Sequence, residues 1–582
     1  MSWRRLAPFL SGSRIALLVL TVVSVLAGLT EASLLALIAA VAAALSTDSV
    51  HVTADLGPVH LDTGVNTVLL IGTAVALFRA GLQVLSAYIP ARLSSQATAD
   101  LRRRLFDAFT QAAWPIKAQE RDGHFQSLMN AHITSTSNAI ISIGNGMAAL
   151  LTFLTMLVSA FLLSLPAALV LSVCSIVLFI ALQPLARRLR GHAKELSREN
   201  IEYSKGVQEI VLMAEETEVF GASDIYRDSV YDTIERVRLP LLRTRFLAGA
   251  VPSVFQSVAL LLLIVALFVV SATDVGPIAT LGAVVLILFR TMNYGQQVQA
   301  ALTSLDEKLA FVDRLAGAIR HYEDHPQQAG ADPLPPIRAL TFRDVCHSYD
   351  DDGAPSLSNV TFEVAAGEAV GIAGPSGAGK STVVQLLLRL REPTSGQVLV
   401  NGVDVRGFQR PEWQEHVAYV PQTPQLIWGT VAENIKFFRP SLTQDEIEHA
   451  ARQANIHEDV MSWPLGYDTV VGQRAAAVSG GQRQRLCLAR ALAGRPDVLI
   501  LDEATSALDV RSESLIHESL QRLKGEVTLF TVSHRVSTLA LCDRVMVVVG
   551  GHLQAMDSPA VLAETNDFFR DISRITDAQQ ES

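Results

Sequence analysis

Cysteine and charge are both scarce in this sequence. Its 582 residues include four cysteines, Cys174, Cys346, Cys487 and Cys542, and these lie too far apart for the paired spacing of a zinc site or a disulfide framework. Charged residues make up 18% of the chain, and no stretch rich in lysine and arginine is interleaved with aromatic residues. The composition therefore argues against a nucleic-acid partner, and we interpret the cysteines as packing residues.

The scarcity of charge is concentrated in the first half of the chain. Hydrophobic residues make up 49% of the sequence, and long uncharged runs precede a region, after about residue 320, in which charged residues are evenly spread. Six stretches are long enough for helices that cross a bilayer, which need about 20 residues each. They are approximately Arg14 to Leu45, Val65 to Leu93, Ala139 to Leu165, Ala167 to Leu189, Phe246 to Ala272 and Pro277 to Ala301.

The connections between these stretches predict their orientation. Loops 46–64, 164–166 and 273–276 contain no lysine or arginine, whereas the N-terminus and segments 92–106, 185–200 and 236–246 are basic. Basic flanks remain in the cytoplasm. We therefore expect a multi-pass protein of the inner or plasma membrane, with both termini and the region after the last stretch in the cytoplasm.

The two cytoplasmic connections are unusually long, at about 45 and 55 residues, and their recurring apolar positions suit helices that continue out of the membrane. Each contains a candidate short docking helix, Gln119 to Leu128 and Ala214 to Ser223. A solvated helical hairpin without a docking role is the alternative.

Three ionisable residues lie deep inside the apolar stretches. Glu31, Arg79 and Arg290 fall about 13 to 17 residues into their stretches, near mid-depth at roughly 1.5 Å per residue. Charge at this depth is costly and invites a functional explanation. Two interpretations are open. One is a Glu–Arg pair that holds helices together. In the other, Glu31 pairs with Arg79, and Arg290, without an acidic partner, faces a cavity and favours an anionic substrate.

A domain of different character follows a polar, proline-rich linker, Tyr322 to Ile337, which cannot continue a helix. The segment "EAVGIAGPSGAGKSTVVQLLLRL" predicts a strand, a glycine loop and a helix, the context of a Walker A motif. In this motif the loop backbone wraps nucleotide phosphates, Lys380 reaches the β- and γ-phosphates, and the Ser381 hydroxyl ligates Mg²⁺. The predicted nucleotide-binding residues are Gly374, Pro375, Ser376, Gly377, Ala378, Gly379, Lys380, Ser381 and Thr382.

Three side chains that suit ATP hydrolysis follow downstream. The apolar strand in "DVLILDEATSALD" ends in Asp502, an indirect partner for Mg²⁺, and in Glu503, a carboxylate that can polarise the attacking water. The segment "LFTVSHR" places His534 at the end of another strand, where its imidazole can donate a hydrogen bond to the γ-phosphate.

Together these motifs resemble those of the ATP-binding-cassette proteins. The segments "GPSGAGKS", "AYVPQTPQLIWGTVAENI", "VSGGQRQRLCLARAL", "LILDEATSALD" and "VSHR" occur in the order and spacing of that family. Six preceding spans with two long cytoplasmic loops resemble the exporter-type half-transporter, over essentially the whole chain. The resemblance implies a polytopic α-helical membrane domain (1–321), a linker (322–337) and an α/β P-loop ATPase domain (338–582).

The resemblance also implies roles for further residues. Tyr349 would stack on adenine, Gln422 would contact Mg²⁺ and sense the membrane domain, and Asp509 would communicate between two ATP sites. In this family the "SGGQ" segment faces the ATP bound by the other subunit, so each site needs a helix N-terminus from both chains. One chain then carries two half-sites, and a dimer is required. The segment comprises Ser479, Gly480, Gly481 and Gln482.

Two positions depart from the pattern of the family. The signature segment begins with Val478 instead of the usual leucine, an apolar exchange that should leave the serine hydroxyl and glycine amides in place. Gln473 stands where exporters commonly have glutamate. The neutral glutamine would weaken a contact to the docking helices that is charged in those exporters.

These observations predict ATP-driven transport by alternating access, in which ATP binding closes two cassettes and hydrolysis reopens them. The expected substrate is hydrophobic or amphipathic, with an anionic lipid, a glycolipid, a peptide or a natural product among the options. A homodimer is expected because every active-site side chain is intact. An importer of a siderophore-like substrate and an ATP-gated channel or sensor are the alternatives, and Glu503 argues against the channel because gating needs no catalytic base.

Overall fold

The computed structural model describes residues 14–46, 51–56, 59–120, 123–163, 213–271, 278–349, 353–472, 478–504 and 509–580, with scattered helical positions between 164 and 212. The chain divides into two compact units. The helical unit comprises Met1–Gln111 and Glu120–Asp324, and the α/β unit comprises Ala112–Gln119 and His325–Ser582. The division after Asp324 falls within the predicted linker.

Long helices form the helical unit, and the longest, with 47, 49 and 46 residues, extend well beyond the length that a bilayer requires. A π-helical turn, Leu128–His132, joins the fourth and fifth helices. In chain order the helices are α1 (Arg14–Ser46), α2 (Val65–Gln111), α3 (Trp114–Ala118), α4 (His124–Ser127), α5 (Ile133–Leu163), α6 (Ala214–Val219), α7 (Ser223–Ser271) and α8 (Ile278–Glu323), of which α3 belongs to the α/β unit.

Within the described residues, three helical segments are long and apolar enough to cross a membrane: Arg14–Leu45, Val65–Gln111 and His124–Leu163. They contain the first three predicted stretches, apart from the last residues of the third. The fourth stretch, 167–189, lies almost entirely outside the described residues. The fifth and sixth fall within α7 and α8, apart from one terminal residue of each.

Small residues allow the helices of this unit to approach closely. A Cβ atom at Gly144 of α5 would lie 2.7 Å from Cβ of Pro90 in α2, and one at Gly146 would lie 2.8 Å from Cβ of Ala301 in α8. Such contacts are typical of helices packed within a bilayer. On the outer surface, large apolar side chains are exposed, with Leu70 72% accessible, as expected where lipid is the solvent.

A short antiparallel hairpin connects α1 to α2. It consists of β1 (His51–Leu56) and β2 (Val59–Gly64), paired from His51 with Gly64 to Leu56 with Val59. Val52 is buried with Leu37 of α1 and Val68 of α2, so the hairpin is anchored to the ends of both helices.

The α/β unit alternates strands and helices. Its strands are β3 (Ala339–His347), β4 (Leu357–Ala365), β5 (Ala369–Ala373), β6 (Ser395–Val400), β7 (Val403–Asp404), β8 (Val417–Val420), β9 (Gly429–Thr430), β10 (Val470–Val471), β11 (Val498–Asp502), β12 (Thr528–Val532), β13 (Arg544–Val549) and β14 (His552–Asp557). Its remaining helices are α9 (Lys380–Leu387), α10 (Arg410–His416), α11 (Val431–Lys436), α12 (Gln444–Gln453), α13 (His457–Ser462), α14 (Gly480–Leu492), α15 (Val510–Leu523), α16 (Val536–Leu539), α17 (Pro559–Thr565) and α18 (Asp567–Gln580).

Two large sheets organise this unit, in addition to the two-stranded pair of β9 and β10. The six-stranded sheet has the order β14-β13-β5-β12-β11-β8 and is parallel except for β14, and the four-stranded antiparallel sheet has the order β4-β3-β6-β7. The strand residues of β5 and β12 are buried, which agrees with their continuous apolar sequences, because a parallel strand is covered on both faces. Phe342, Phe530 and Trp413 lie in the core between the layers.

The structure also describes most of the candidate docking segments. The short helix predicted in 214–223 is confirmed as α6. In the first connection, α4 lies within the predicted segment, but α3 precedes it and is part of the α/β unit, where the Ala113 amide donates to the His325 carbonyl at 2.9 Å. A docking role for these helices remains a prediction.

Candidate functional site

Four neighbouring parallel strands end at one edge of the six-stranded sheet. Strand β5 leads into the loop that begins at Gly374, and β8 leads to Gln422. Strand β11 ends at Asp502 and Glu503, and β12 leads to His534. Because the carboxyl ends of parallel strands form the ligand-binding edge of such sheets, the strand order brings together residues that are far apart in sequence.

The loop after β5 has a backbone that suits an anion. A Cβ atom at Gly374 would lie 2.0 Å from the Val548 carbonyl oxygen, and Gly379 has φ +105°, so both positions need glycine. Within the described part of the chain, the backbone amides of Ser376, Gly377 and Gly379 donate no hydrogen bond. Backbone amides that are not hydrogen-bonded, in a loop that opens a helix, are typical of phosphate-binding sites.

Lys380 begins α9 at the end of this loop. Its side chain is buried, and Nζ donates to the carbonyl oxygens of Gly374 at 2.7 Å and Pro375 at 2.9 Å. Burial lowers the pKa of the Lys380 ammonium, and the nearby charges of Glu503 and Asp502 oppose that shift. The cation is therefore held at the loop, beside the two carboxylates.

Glu503 is the centre of a cluster formed by three of the predicted residues. Its carboxylate accepts a hydrogen bond from Nε2 of Gln422 at 2.7 Å, and its other oxygen lies 3.2 Å from Nε2 of His534. The residue has φ +47°, a costly conformation for a side chain with a Cβ, and its amide donates to the Val532 carbonyl at 3.0 Å. A conformation of this kind persists only where the surrounding structure holds it, and such positions cluster at functional sites.

Asp502 precedes this cluster and has a partner that the sequence did not reveal. The Tyr419 hydroxyl donates to its Oδ2 at 3.2 Å. Burial raises the pKa of the Asp502 carboxyl, with the Glu503 charge adding to the shift. Tyr419 lies in the quoted "AYVPQ" segment, but only the adjacency of β8 and β11 shows which carboxylate it contacts.

Tyr349 lies at the side of the same loop. Its hydroxyl is 3.0 Å from Oγ1 of Thr382, and the guanidinium of Arg391 lies 4.4 Å from its ring centroid. The Tyr349 ring is therefore held by α9 and covered on one side by a cation. Arg391 was not predicted, and nothing in the motif spacing points to it. Ser381, between Lys380 and Thr382, is exposed.

The "SGGQ" segment opens α14. The Ser479 hydroxyl accepts a hydrogen bond from the backbone amide of Gln482 at 3.1 Å. The side-chain Oε1 of Gln482 accepts one from the backbone amide of Ser479, also at 3.1 Å, and the two bonds form a capping box. Nε2 of Gln482 then donates to Asp459 of α13 at 3.1 Å, and the buried Arg485 donates to the same carboxylate at 2.8 Å. Asp459, which was not predicted, thus fixes α14 against α13.

Close packing also explains the second glycine of this segment. A Cβ atom at Gly481 would lie 2.0 Å from the Ser512 hydroxyl, whereas Gly480 has no atom within 4 Å of its Cβ position. Asp509 caps α15, accepting from the Ser512 amide at 2.9 Å and its hydroxyl at 2.8 Å. Val478 packs on the core beneath α14.

The signature segment and the glycine loop do not meet within one chain. In the part of the chain that the structure describes, no hydrogen bond or ion pair joins residues 478–482 to residues 374–382. Gln473 lies outside the described residues. The first residues of the signature segment on α14, Ser479 and Gly480, are exposed.

In the helical unit, the structure brings Glu31, Arg79 and Arg290 together and corrects one expectation. Glu31 is buried, and its Oε1 lies 2.9 Å from Nη2 of Arg79 and also accepts a hydrogen bond from Nε of Arg290. The Tyr294 hydroxyl donates to Oε2 at 2.5 Å. The expectation that Arg290 lacks an acidic partner is wrong, because α8 passes beside α1 and one carboxylate serves both arginines.

Comparisons with known proteins agree with both units. The family described as "ABC transporter transmembrane region" matches residues 17–295, and "ABC transporter" matches residues 357–506. The putative multidrug export ATP-binding/permease protein YgaD of Bacillus subtilis is 31% identical over 517 residues, which cover 85% of this chain and 88% of that protein. A putative multidrug export ATP-binding/permease protein of Staphylococcus aureus is 43% identical over 209 residues, 36% of each chain.

A solved structure shares the fold along the full length. A bacterial Atm1-family ABC exporter with ATP bound superimposes with a TM-score of 0.77 over 99% of both chains, at 24% sequence identity. A membrane region and an ATPase region thus follow one another in this chain. The chain therefore belongs to the ABC transporters, as an exporter-type half-transporter that joins a membrane domain to an ATP-hydrolysing domain.

Proposed function

We propose that this protein exports an amphipathic substrate across the inner or plasma membrane by ATP-driven alternating access, as a dimer of two identical chains. The observation that carries the proposal is the cluster in which Glu503 is held by Gln422 and His534 beside Lys380. General-base catalysis of hydrolysis uses a carboxylate in that position, whereas gating by bound ATP does not require one. The basic flanks of the membrane stretches favour a cytoplasmic location for both termini and the ATPase domain.

The residues of the glycine loop fit a bound nucleotide. The free amides of Ser376, Gly377 and Gly379 and the Lys380 ammonium would hold phosphate oxygens, and Tyr349 would stack on adenine. The oxygen donors of Ser381 and Gln422 suit Mg²⁺, with Asp502 as an indirect partner. When bound, Mg²⁺ neutralises charge on the phosphates.

Glu503 is proposed as the general base. Its carboxylate would orient the attacking water and accept its proton, while His534 donates a hydrogen bond to the γ-phosphate. The hydrogen bond from Gln422 to Glu503 links this carboxylate to the residue that senses the membrane domain. Substrate and nucleotide can then influence one another through a single side chain.

Two chains are proposed to complete each site. Among the residues that the structure describes, the "SGGQ" helix start forms no hydrogen bond or ion pair with the glycine loop of its own chain, so its anion-binding end would serve the nucleotide of a second chain. Asp509, which caps the helix packed against Gly481, would connect the two sites. Because every proposed active-site residue is present, two copies of this chain would form two competent sites.

Replacing the proposed base tests both hydrolysis and assembly. Glu503→Gln should lower steady-state ATP hydrolysis at least about 100-fold, the scale of general-base catalysis, while ATP binding persists and traps a closed dimer. Phosphate release reports hydrolysis, and light scattering with mass spectrometry reports the size and composition of the dimer. Glu526→Gln, the same exchange at an exposed residue, is the control and should hydrolyse normally.

Two results would contradict the proposal. Hydrolysis by Glu503→Gln within a few fold of the wild type would refute the role of Glu503. A trapped dimer that contains one copy of this chain and one copy of another half-transporter would refute the homodimer.

A further inference from the structure

A cavity of about 510 Å³, lined by small apolar and by polar residues, lies in the helical unit between α1, α2, α5 and α8. Its lining consists of six alanines, nine uncharged polar residues and the charged pair Glu31 and Arg79. The volume suits an organic molecule or head group. A lining of this polarity at membrane depth is costly unless a ligand or water uses it.

Three amide side chains line the cavity. Gln83 of α2, Asn145 of α5 and Gln297 of α8 all line it and are exposed. Within the described residues, none of the three side chains forms a hydrogen bond or ion pair. Each primary amide offers two donors and one acceptor, so three helices present hydrogen-bonding groups to whatever occupies the space.

One face of α8 continues this polarity along the helix. Arg290, Tyr294, Gln297, Ser304 and Lys308 follow at intervals of three, four or seven residues, which places them on one side of a helix. The stripe is roughly 27 Å long at 1.5 Å per residue. Lys308 Nζ donates to the Ser304 carbonyl at 3.2 Å. The stripe therefore begins and ends with a cation.

At the Arg290 end of this stripe, the charges of Glu31, Arg79 and Arg290 sum to one excess positive charge. Glu31 neutralises one of its two arginines, and the Arg290 side chain is 42% exposed, with its guanidinium 5.7 Å from the Tyr294 ring centroid. Within the described residues, the terminal amines of Arg290 have no further acidic partner. A guanidinium binds phosphate or carboxylate in a bidentate manner. The terminal amines of Arg290 can therefore bind an anionic group beside Glu31.

The lining lacks what a lipophilic cation requires. Among the described residues that line the cavity, Tyr294 is the one aromatic residue, and the apolar ones are all alanine. Binding of hydrophobic cations depends on aromatic faces and on large apolar surfaces. The excess positive charge would also repel such a ligand. The cavity thus differs from what the word multidrug in the names of the relatives suggests.

We infer that this cavity binds a polar group that carries a phosphate or carboxylate and several hydroxyl or amide groups. The anion would lie beside Arg79, which lines the cavity, and near Arg290, which does not line it but contacts the lining residue Glu31. The rest of the group would lie along the amides. As a substrate site the inference rests on the proposed export function. The group is either a free polar anion or the head group of a lipid, whose apolar chains would remain outside the alanine-lined space.

Binding is measured on the full-length protein in detergent micelles without nucleotide, by calorimetric titration. The probes are glycerophosphoinositol as a soluble anion, phosphatidylinositol in mixed micelles as a lipid with the same head group, and tetraphenylphosphonium as a lipophilic cation. Gln297→Leu removes one cavity amide. Gln299→Leu is the matched control, because Gln299 is on the opposite side of α8, about 200° away, and does not line the cavity.

We expect an anionic probe to bind and the cation not to bind. Gln297→Leu should weaken the anionic probe about three- to tenfold, the loss of one hydrogen bond, and Gln299→Leu should change Kd less than twofold. Arg290→Gln, which keeps a hydrogen-bonding side chain but removes the charge, should weaken it at least about tenfold. Binding of the lipid alone identifies a lipid head group, and binding of the soluble probe identifies a free polar anion.

Three results would overturn the inference: binding of tetraphenylphosphonium in preference to both anions, no binding of either anion, or equal Kd values for Gln297→Leu and Gln299→Leu. Because these titrations contain no ATP, their outcome is independent of the Glu503→Gln experiment. If the titrations contradict the cavity inference while the Glu503→Gln experiment gives the expected result, the proposed transport function is unaffected.

Discussion

Asp459 holds the signature helix α14 in place, and its replacement by alanine should destabilise the ATPase domain. Arg485 has a side chain that is 5% exposed, and it donates to Asp459 at 2.8 Å and to the Asn455 carbonyl. Gln482, the third residue of α14, donates to the same carboxylate at 3.1 Å. Asp459→Ala would leave a buried guanidinium without its counter-charge and Gln482 without its anchor.

The structure sets the size of this effect. Removing one partner of a fully buried pair costs about 3 to 5 kcal/mol. The Asp459 side chain is 34% exposed, so water replaces part of the lost interaction, and Arg485 keeps the Asn455 carbonyl. We therefore expect a loss of about 2 to 3 kcal/mol in the free energy of unfolding, or about 5 to 10 °C in the unfolding midpoint of a domain of this size.

Glu458→Ala is the matched control. Glu458 is the preceding residue in the first turn of α13 and is exposed, and its side chain forms no hydrogen bond or ion pair within the described residues. Thermal unfolding of the purified full-length proteins, followed by circular dichroism, should show a lower midpoint for Asp459→Ala and an unchanged one for Glu458→Ala. Asp459→Asn, which removes the charge but keeps an acceptor, should fall between them.

ATP hydrolysis gives a second measurement. Without Asp459, Gln482 is free to leave the capping box of Ser479, so the rate should fall severalfold, and Glu458→Ala should retain normal activity. Equal unfolding midpoints for Asp459→Ala and Glu458→Ala would refute the reasoning, because they would show that the contacts of Arg485 and Gln482 contribute nothing measurable.

Two further predictions follow from packing. Gly481→Ala should lower the unfolding midpoint, at a cost of about 1 to 3 kcal/mol, because its Cβ would lie 2.0 Å from the Ser512 hydroxyl. Gly480→Ala, with open space at its Cβ, should leave the midpoint unchanged. Equal midpoints for the two variants would contradict the prediction. Burial raises the pKa of Cys542 to about 12, so its thiolate fraction at pH 8 is on the order of 10⁻⁴. Maleimide should label the partly exposed Cys346 in the folded protein and leave Cys542 unmodified. Mass spectrometry of digests measures the labelling, and modification of Cys542 before Cys346 would contradict the prediction.

Local patterns in the sequence were sufficient for much of this architecture. Two kinds of element depend mainly on interactions between near neighbours: the glycine loop between an apolar strand and a helix, and the apolar stretches of more than 20 residues. The local sequence therefore predicts them directly. The family assignment followed from such motifs in order and was confirmed by the relatives. The roles of Glu503, Lys380 and the "SGGQ" segment remain predictions that the geometry supports.

Contacts between distant segments could not be derived in the same way. The partners of Glu31 depend on which helix passes beside α1, and counting charges gave Arg290 none, although α8 brings it to the same carboxylate as Arg79. Likewise, Asp459 looks like any acidic residue at the start of a helix until α13 packs against α14. Sequence alone determined which segments form helices, strands and phosphate-binding loops, because those depend on local backbone preference and periodicity. Only the tertiary structure decided which charges meet and which amides are left facing a cavity, because those depend on the packing of segments that are separated in sequence, by 23 residues for Asp459 and Gln482 and by 259 for Glu31 and Arg290.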